Sequence, residues 1–169
     1  MLDTTTLNHI YDNNLTNKVQ RAVDNGKLQL FATDVQKQEI AGIRNDEKRK
    51  QGLKHAVEEM RVEFIETSDM VVALDLDQES RRGFRGSKVG SRIPSDEDVP
   101  LLKRLVRENK INPLKKRGDI STFYTAVKEN MDYLVTENTA DFKGLLEIFK
   151  IERDTILQIK NHTKFEELL

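Results

Sequence analysis

Three carboxylates in this chain stand where helices are expected to begin or to bury a face. Asp3 ends a very short apolar start and precedes Thr4, Thr5, Thr6 and Leu7. Asp119 follows Lys115, Lys116, Arg117 and Gly118, and opens the helical pattern Ile120, Phe123, Tyr124, Val127 and Met131. Glu39 stands between Val35 and Ile43 at spacings of four, which is one row on a helix, so it falls inside an apolar stripe. A carboxylate there is costly unless it is paired or metal-bound. The plainer alternatives are a snorkelling glutamate at the edge of the stripe, and ordinary helix capping by Asp3 and Asp119. If the three meet, mutual repulsion and burial raise their pKa values, and a divalent cation relieves both penalties. A cation held that way polarises a phosphate and activates water, so the chemistry within reach is phosphodiester cleavage.

The metal that such a group would take follows from composition. There is no cysteine, which excludes disulfides, thiol catalysis and thiolate zinc sites. The histidines His9, His55 and His162 are scattered, so any metal must be held by oxygen, which favours Mg2+ or Mn2+. With 37% hydrophobic and 34% charged residues in 169, the expectation is one domain with a heavily charged exterior. No apolar run approaches the roughly 18 residues that span a bilayer, and no basic-then-apolar leader opens the chain, so a cytoplasmic protein without a membrane partner is expected.

A net charge of −1 hides an asymmetry. Between positions 81 and 117 the basic residues, among them Arg81, Arg82, Arg85, Lys88, Arg92, Lys115, Lys116 and Arg117, outnumber the acids. A local positive region on a near-neutral chain fits a polyanion met by one face, and on charge alone it fits a solvated surface equally well. Lys115, Lys116 and Arg117 adjoin Asp119 and are the better phosphate contacts. Arg81, Arg82 and Arg85 lie in a long basic stretch at about 77–95, where Phe84 is placed to stack on a base or to anchor the loop.

The elements that must position these residues alternate. Helical spacing runs through Leu7, Ile10 and Tyr11, and again through Leu15, Val19, Ala22 and Val23 up to a stop at Asn25 and Gly26. A strand is expected over 27–33, a helix capped by Thr33 or Asp34, a helix over about 53–64 and a buried strand over 69–74. A helix whose start carries acids over 95–98 then leads towards Asn109, another opens at Asp119, and a strand covers 133–136. A helix to about Phe149, a last strand over 155–159 and a terminal turn complete the pattern, which predicts a parallel α/β architecture.

Met1-Leu2-Asp3-Thr4, a glutamate in the third helix, Gly118-Asp119-Ile120 opening an amphipathic helix, and Leu134-Val135-Thr136-Glu137-Asn138 with Asp141-Phe142 together resemble the PIN-domain ribonucleases. The resemblance covers nearly the whole chain, and its most specific part is the block from Asp119 to Phe142. It implies a single PIN-like domain over 1–169 with a basic insertion at about 77–95. The implied fold is a three-layer α/β/α sandwich around a mostly parallel five-stranded sheet of order 3-2-1-4-5. It also implies that Asp3, Glu39 and Asp119 hold Mg2+ or Mn2+ beside Asn138, which stands where the family usually has a fourth acid. That departure leaves Asn138 or Asp141 to complete the metal set. Thr4, Thr5 and Thr136 are candidates for orienting the ligands.

The function so implied is a metal-dependent endoribonuclease acting on RNA. Small single-domain members of that family are often toxins held inactive by an antitoxin protein, and many form homodimers, so RNA, an antitoxin and a second copy are the expected partners. The alternative is a PIN fold that binds RNA or protein and cuts poorly or not at all, which Asn138 favours. A response-regulator domain would need an acidic neighbour beside Asp3, which the sequence does not have.

Overall fold

Asp3 turns the chain from extended backbone (φ −89°, ψ 177°) into helix α1 (Thr4–Asp12), accepting the Thr6 N–H on its carboxylate. In the computed structural model the described residues are 1–67, 98–108, 117–152 and 155–169. Leu7 and Ile10 of α1 are buried, as their spacing requires. Helix α2 (Thr16–Asp24) buries Val19 and Ala22, and ends at Asn25 and Gly26, where Gly26 takes the left-handed conformation with φ of 69°. Strand β1 (Phe31–Thr33) passes directly into helix α3 (Asp34–Ala41) through a capping box between Thr33 and Gln36. Helix α4 (Glu47–Glu59) follows, then strand β2 (Glu63–Ile65). Helices α5 (Asp98–Glu108) and α6 (Arg117–Lys128) lead to strand β3 (Tyr133–Val135), helix α7 (Thr139–Glu152), strand β4 (Gln158–Lys160) and helix α8 (His162–Glu166).

The described residues are predominantly helical, and their strands form two separate two-stranded parallel sheets, β1–β2 and β3–β4. This corrects the expected five-stranded sheet of order 3-2-1-4-5 and the PIN-like three-layer sandwich built on it. The physical reason lies in strand length. Each strand is three residues long. Among the described residues, the stretch expected to lie at the centre forms one isolated bridge, Leu2 with Val135, because Asp3 immediately adopts its capping geometry and Thr4 begins a helix. Around that bridge, Leu2 N–H donates to Phe31 O (2.7 Å), Val135 N–H to Met1 O (3.0 Å) and Asp3 N–H to Val135 O (3.2 Å).

The apolar residues gather in two clusters, and neighbours in the extended segments alternate between them, as period-two side chains must. Met1 and Leu134 join Leu102, Ile120, Phe123, Phe142, Phe149 and Leu157, whereas Leu2 and Val135 join Leu7, Ile10, Ala32, Leu53, Val57, Met60 and Phe165. In the first cluster Phe123 meets Phe149 edge-on, with ring centroids 5.3 Å apart. Asp98, 2% exposed, accepts hydrogen bonds from Tyr124 Oη (2.6 Å) and Lys128 Nζ (3.0 Å), which ties α5 to α6.

Other expectations along the chain change: the strand expected over 27–33 is confined to 31–33, and the last strand lies at 158–160. Phe64 lies in β2 instead of a helix, because Arg61 takes a positive φ of 54° just after α4. Helix α3 stops at Ala41 with Gly42 as its cap, so Ile43 is beyond it; the buried face is Val35, Gln36 and Ile40, and Glu39 stands at its edge. The expected strand over 69–74 and the basic stretch at 77–95 lie outside the described residues.

Candidate functional site

The site is assembled by the threonines that follow Asp3 and by the end of β3. Asp3 is 8% exposed. Its Oδ1 accepts from the Thr6 N–H (2.9 Å), Thr6 Oγ1 (2.9 Å) and Thr5 Oγ1 (2.8 Å), and its Oδ2 accepts from Thr136 Oγ1 (2.6 Å). Thr6 Oγ1 also lies 2.8 Å from Val135 O, so α1 is stapled to β3 beside the carboxylate. Thr136 Oγ1 in turn accepts the Asn138 N–H at 3.0 Å. The capping reading of Asp3 is therefore correct, and capping uses Oδ1 while Oδ2 takes a single bond.

Glu39 reaches the same place from α3. Thr4 Oγ1 donates to Glu39 Oε2. Much of the Glu39 side chain is open to solvent, but its carboxyl end sits among dense protein atoms. That surround pushes its pKa up; the Thr4 hydrogen bond opposes the rise, and the charges of Asp119 and then Asp3 add to it. Glu39 thus feels both other acids, drawn from sequence positions far apart.

Asp119 arrives in the first turn of α6, half-buried. Two features bring α6 close to α3. A Cβ placed on Gly118 would lie 3.1 Å from Val35 Cγ1, so the approach is one that glycine permits. Beneath it, Gln36 Nε2 donates to Thr122 Oγ1 (3.2 Å), while Thr33 Oγ1 donates to Gln36 Oε1 (2.6 Å). This buried polar link was not read from the sequence, although Thr33 and Gln36 hold the spacing of a capping box.

The remaining expected residues divide. Asn138 is exposed, one hydrogen bond from Thr136 and so two from Asp3. Asp141 is exposed in the first turn of α7. Thr4, Thr5 and Thr136 each hydrogen-bond an acid of the set. Arg117 begins α6. Lys115, Lys116, Arg81, Arg82, Arg85, Lys88 and Phe84 lie outside the described residues. A group the sequence did not single out stands next to Asp3: Glu137, whose N–H donates to Thr5 Oγ1 (3.3 Å) and whose Oε1 accepts from His162.

The donor set is wholly oxygen and suits a hard divalent cation in kind. Among the described residues, no group of three Asp, Glu or His side chains is placed to hold a metal ion. The fit is one of donor type alone, and the charges of Asp119 and Asp3 reach Glu39.

Thr136→Val tests the network at constant shape. It removes the donor to Asp3 Oδ2 and the acceptor of the Asn138 N–H. We expect stability to fall by about 2 kcal/mol in urea unfolding; an unchanged midpoint would show that these bonds carry no net weight.

No family model matches the chain, and neither a curated protein nor a solved structure matches it. Among the described residues no helix is long and apolar enough to cross a membrane.

Proposed function

We propose that this chain is a metal-dependent endoribonuclease that hydrolyses RNA phosphodiester bonds at the edge shared by Asp3, Glu39 and Asp119. The observation that supports the reading is the raised pKa of Glu39, caused by burial and by the charges of Asp119 and Asp3. An acid whose pKa is raised by burial and by neighbouring acids marks a place where a cation or a proton can be managed. The substrate class comes from the resemblance to PIN-domain ribonucleases, and the fold correction above leaves the acid set itself as the ground for the proposal.

Asp3 and Asp119 supply the charged oxygens for Mg2+ or Mn2+, and Glu39 the third. Thr136, Thr5 and Thr6 fix the Asp3 carboxylate so that Oδ2 faces one way only. Asn138 offers an amide oxygen and no charge, which leaves the set at the formal charge of three carboxylates. A divalent ion bound there supplies Lewis-acid polarisation of phosphate and an activated water. Lys115, Lys116 and Arg117, next to Asp119 in sequence, would bind the RNA phosphates. A cytoplasmic toxin held by an antitoxin protein, with a second copy as partner, is the role this reading favours.

The test is cleavage of unstructured and hairpin RNA by the purified chain with Mg2+ or Mn2+. Cleavage that chelation stops and Mn2+ restores is expected. RNA that is bound but never cut, with no metal uptake by calorimetry, would favour the second reading, a binding module. Asn138 in place of an acid and the lack of a ready-made cation shell among the described residues are what speak for that alternative.

A further inference from the structure

Behind the Asp3 edge, helices α1 and α8 face each other through two imidazoles. The rings of His9 and His162 stack with centroids 4.2 Å apart and planes tilted by 30°. Each ring has a carboxylate on its far side. His9 Nε2 lies 2.8 Å from Glu166 Oε1, and His162 Nδ1 lies 3.0 Å from Glu137 Oε1. Asn13 Nδ2 donates to His9 Nδ1 at 3.1 Å, so a neutral His9 carries its proton on Nε2 and donates it to Glu166. The His162 backbone N–H also donates to Glu137 Oε1, at 3.1 Å. His162 is 7% exposed, and its Nε2 is buried with no hydrogen-bond partner among the described residues.

The run Glu166, His9, His162, Glu137 does not stop there. The Glu137 N–H donates to Thr5 Oγ1 (3.3 Å), and Thr5 Oγ1 donates to Asp3 Oδ1 (2.8 Å). We propose that His9 and His162 form a proton-sensitive clasp whose state positions the turn of Thr136, Glu137 and Asn138 against Asp3. Its consequence for cleavage rests on the ribonuclease reading above, whereas the clasp itself does not.

With both rings neutral, each N–H that faces a carboxylate is satisfied and the stack is unopposed. One proton can be held between a ring and its glutamate. A second sets two cations face to face at stacking distance, and on His162 it places an N–H at the buried Nε2, which has no acceptor there. A charge on His9 therefore works against protonation of His162. The charged groups around His162 act in both directions. Burial lowers its pKa below the ordinary 6.5, Glu137 raises it, His9 lowers it, and Asp3 and Glu166 raise it, with a net lowering. The neighbouring cations are otherwise engaged: Lys164 with Glu167 at 2.9 Å, and Lys160 over the Tyr133 ring at 4.6 Å.

Because the folded pKa lies below 6.5, the unfolded chain binds the proton first. The contribution of His162 to stability is thus complete above that value and declines as pH falls from it towards the folded pKa. On double protonation the stacked rings repel, α8 loses its hold on α1, and Glu137, drawn to the charged His162, moves the turn with it.

Histidine-ring and backbone-amide NMR titration of the intact chain tests this. We expect the Glu137 and Asn138 amides to move with the midpoint of His162. His9→Gln should raise that midpoint and Glu137→Gln should lower it, each by about half a pH unit or more. Opposite shifts are not what general loosening would produce. If Glu137→Gln fails to fold, Glu166→Gln carries the same sign and lies at the far end of the run. Amides of Glu137 and Asn138 that ignore the His162 transition, or a midpoint that neither substitution moves, would overturn the clasp. The readout needs no RNA, so absence of cleavage refutes the ribonuclease reading and leaves this one standing.

Discussion

Asp119→Asn is expected to reduce RNA cleavage by at least about 100-fold, the upper range for disturbing groups that merely support a metal ligand, while the protein still unfolds cooperatively. Asp119 is half-buried in the first turn of α6 and its charge helps push up the Glu39 pKa. Removing that charge brings the Glu39 carboxyl back towards its ordinary range. The sign for stability follows from linkage. A carboxyl whose folded pKa is raised holds its proton longer in the folded state, so it costs stability as pH rises past the ordinary value. Relief of that cost leaves Asp119→Asn as stable as the parent near neutral pH, or slightly more so. Steady cleavage would remove Asp119 from the reacting set. Loss of cooperative unfolding would instead make it chiefly a structural cap.

Asp3 should behave in the opposite way. Asp3→Ala is expected to destabilise by about 3 kcal/mol, combining a lost helix cap with buried hydroxyls that lose their acceptor. Thr5, Thr6 and Thr136 all donate to this one carboxylate, and it also accepts the Thr6 N–H. Only Thr6 Oγ1 keeps a second acceptor, Val135 O. Asp3→Asn retains one acceptor oxygen of the same shape, and its amide can donate to Thr136 Oγ1, so about 1 kcal/mol is the expected loss. Denaturant unfolding of the two variants side by side decides the matter. Equal stabilities would mean that the threonine hydroxyls do not depend on Asp3, and the site would have no rigid ligand. If Asp3→Asn folds normally yet loses cleavage, the two roles of this residue are separated: it caps with Oδ1 and serves the site with Oδ2.

Most helices, and some of their ends, were legible in the sequence because their causes are local. Spacing placed Leu7, Ile10, Val19 and Ala22 on inward faces; Asn25 and Gly26 ended α2; Thr33 or Asp34 was expected to cap α3, and Thr33 does; and the pattern from Ile120 to Val127 marked α6. The three acids and their attendant threonines were legible as residue types in order. The sheet was not. How long a strand pairs depends on partners distant in sequence, and here each paired run is three residues, while Leu2 makes one bridge before Asp3 caps a helix. Nor could spacing decide where Glu39 sits, since helix α3 ends before Ile43 and turns the supposed stripe into an edge. Only the tertiary structure brought His9 against His162, Gln36 against Thr122 and Glu137 against Thr5, because each contact joins elements whose packing depends on the whole chain. By itself, then, the sequence determined which acids and hydroxyls were present and which helix ends would carry them. The packing of α1, α3, α6 and α8 around the end of β3 decided which of them meet and how their charges act on one another.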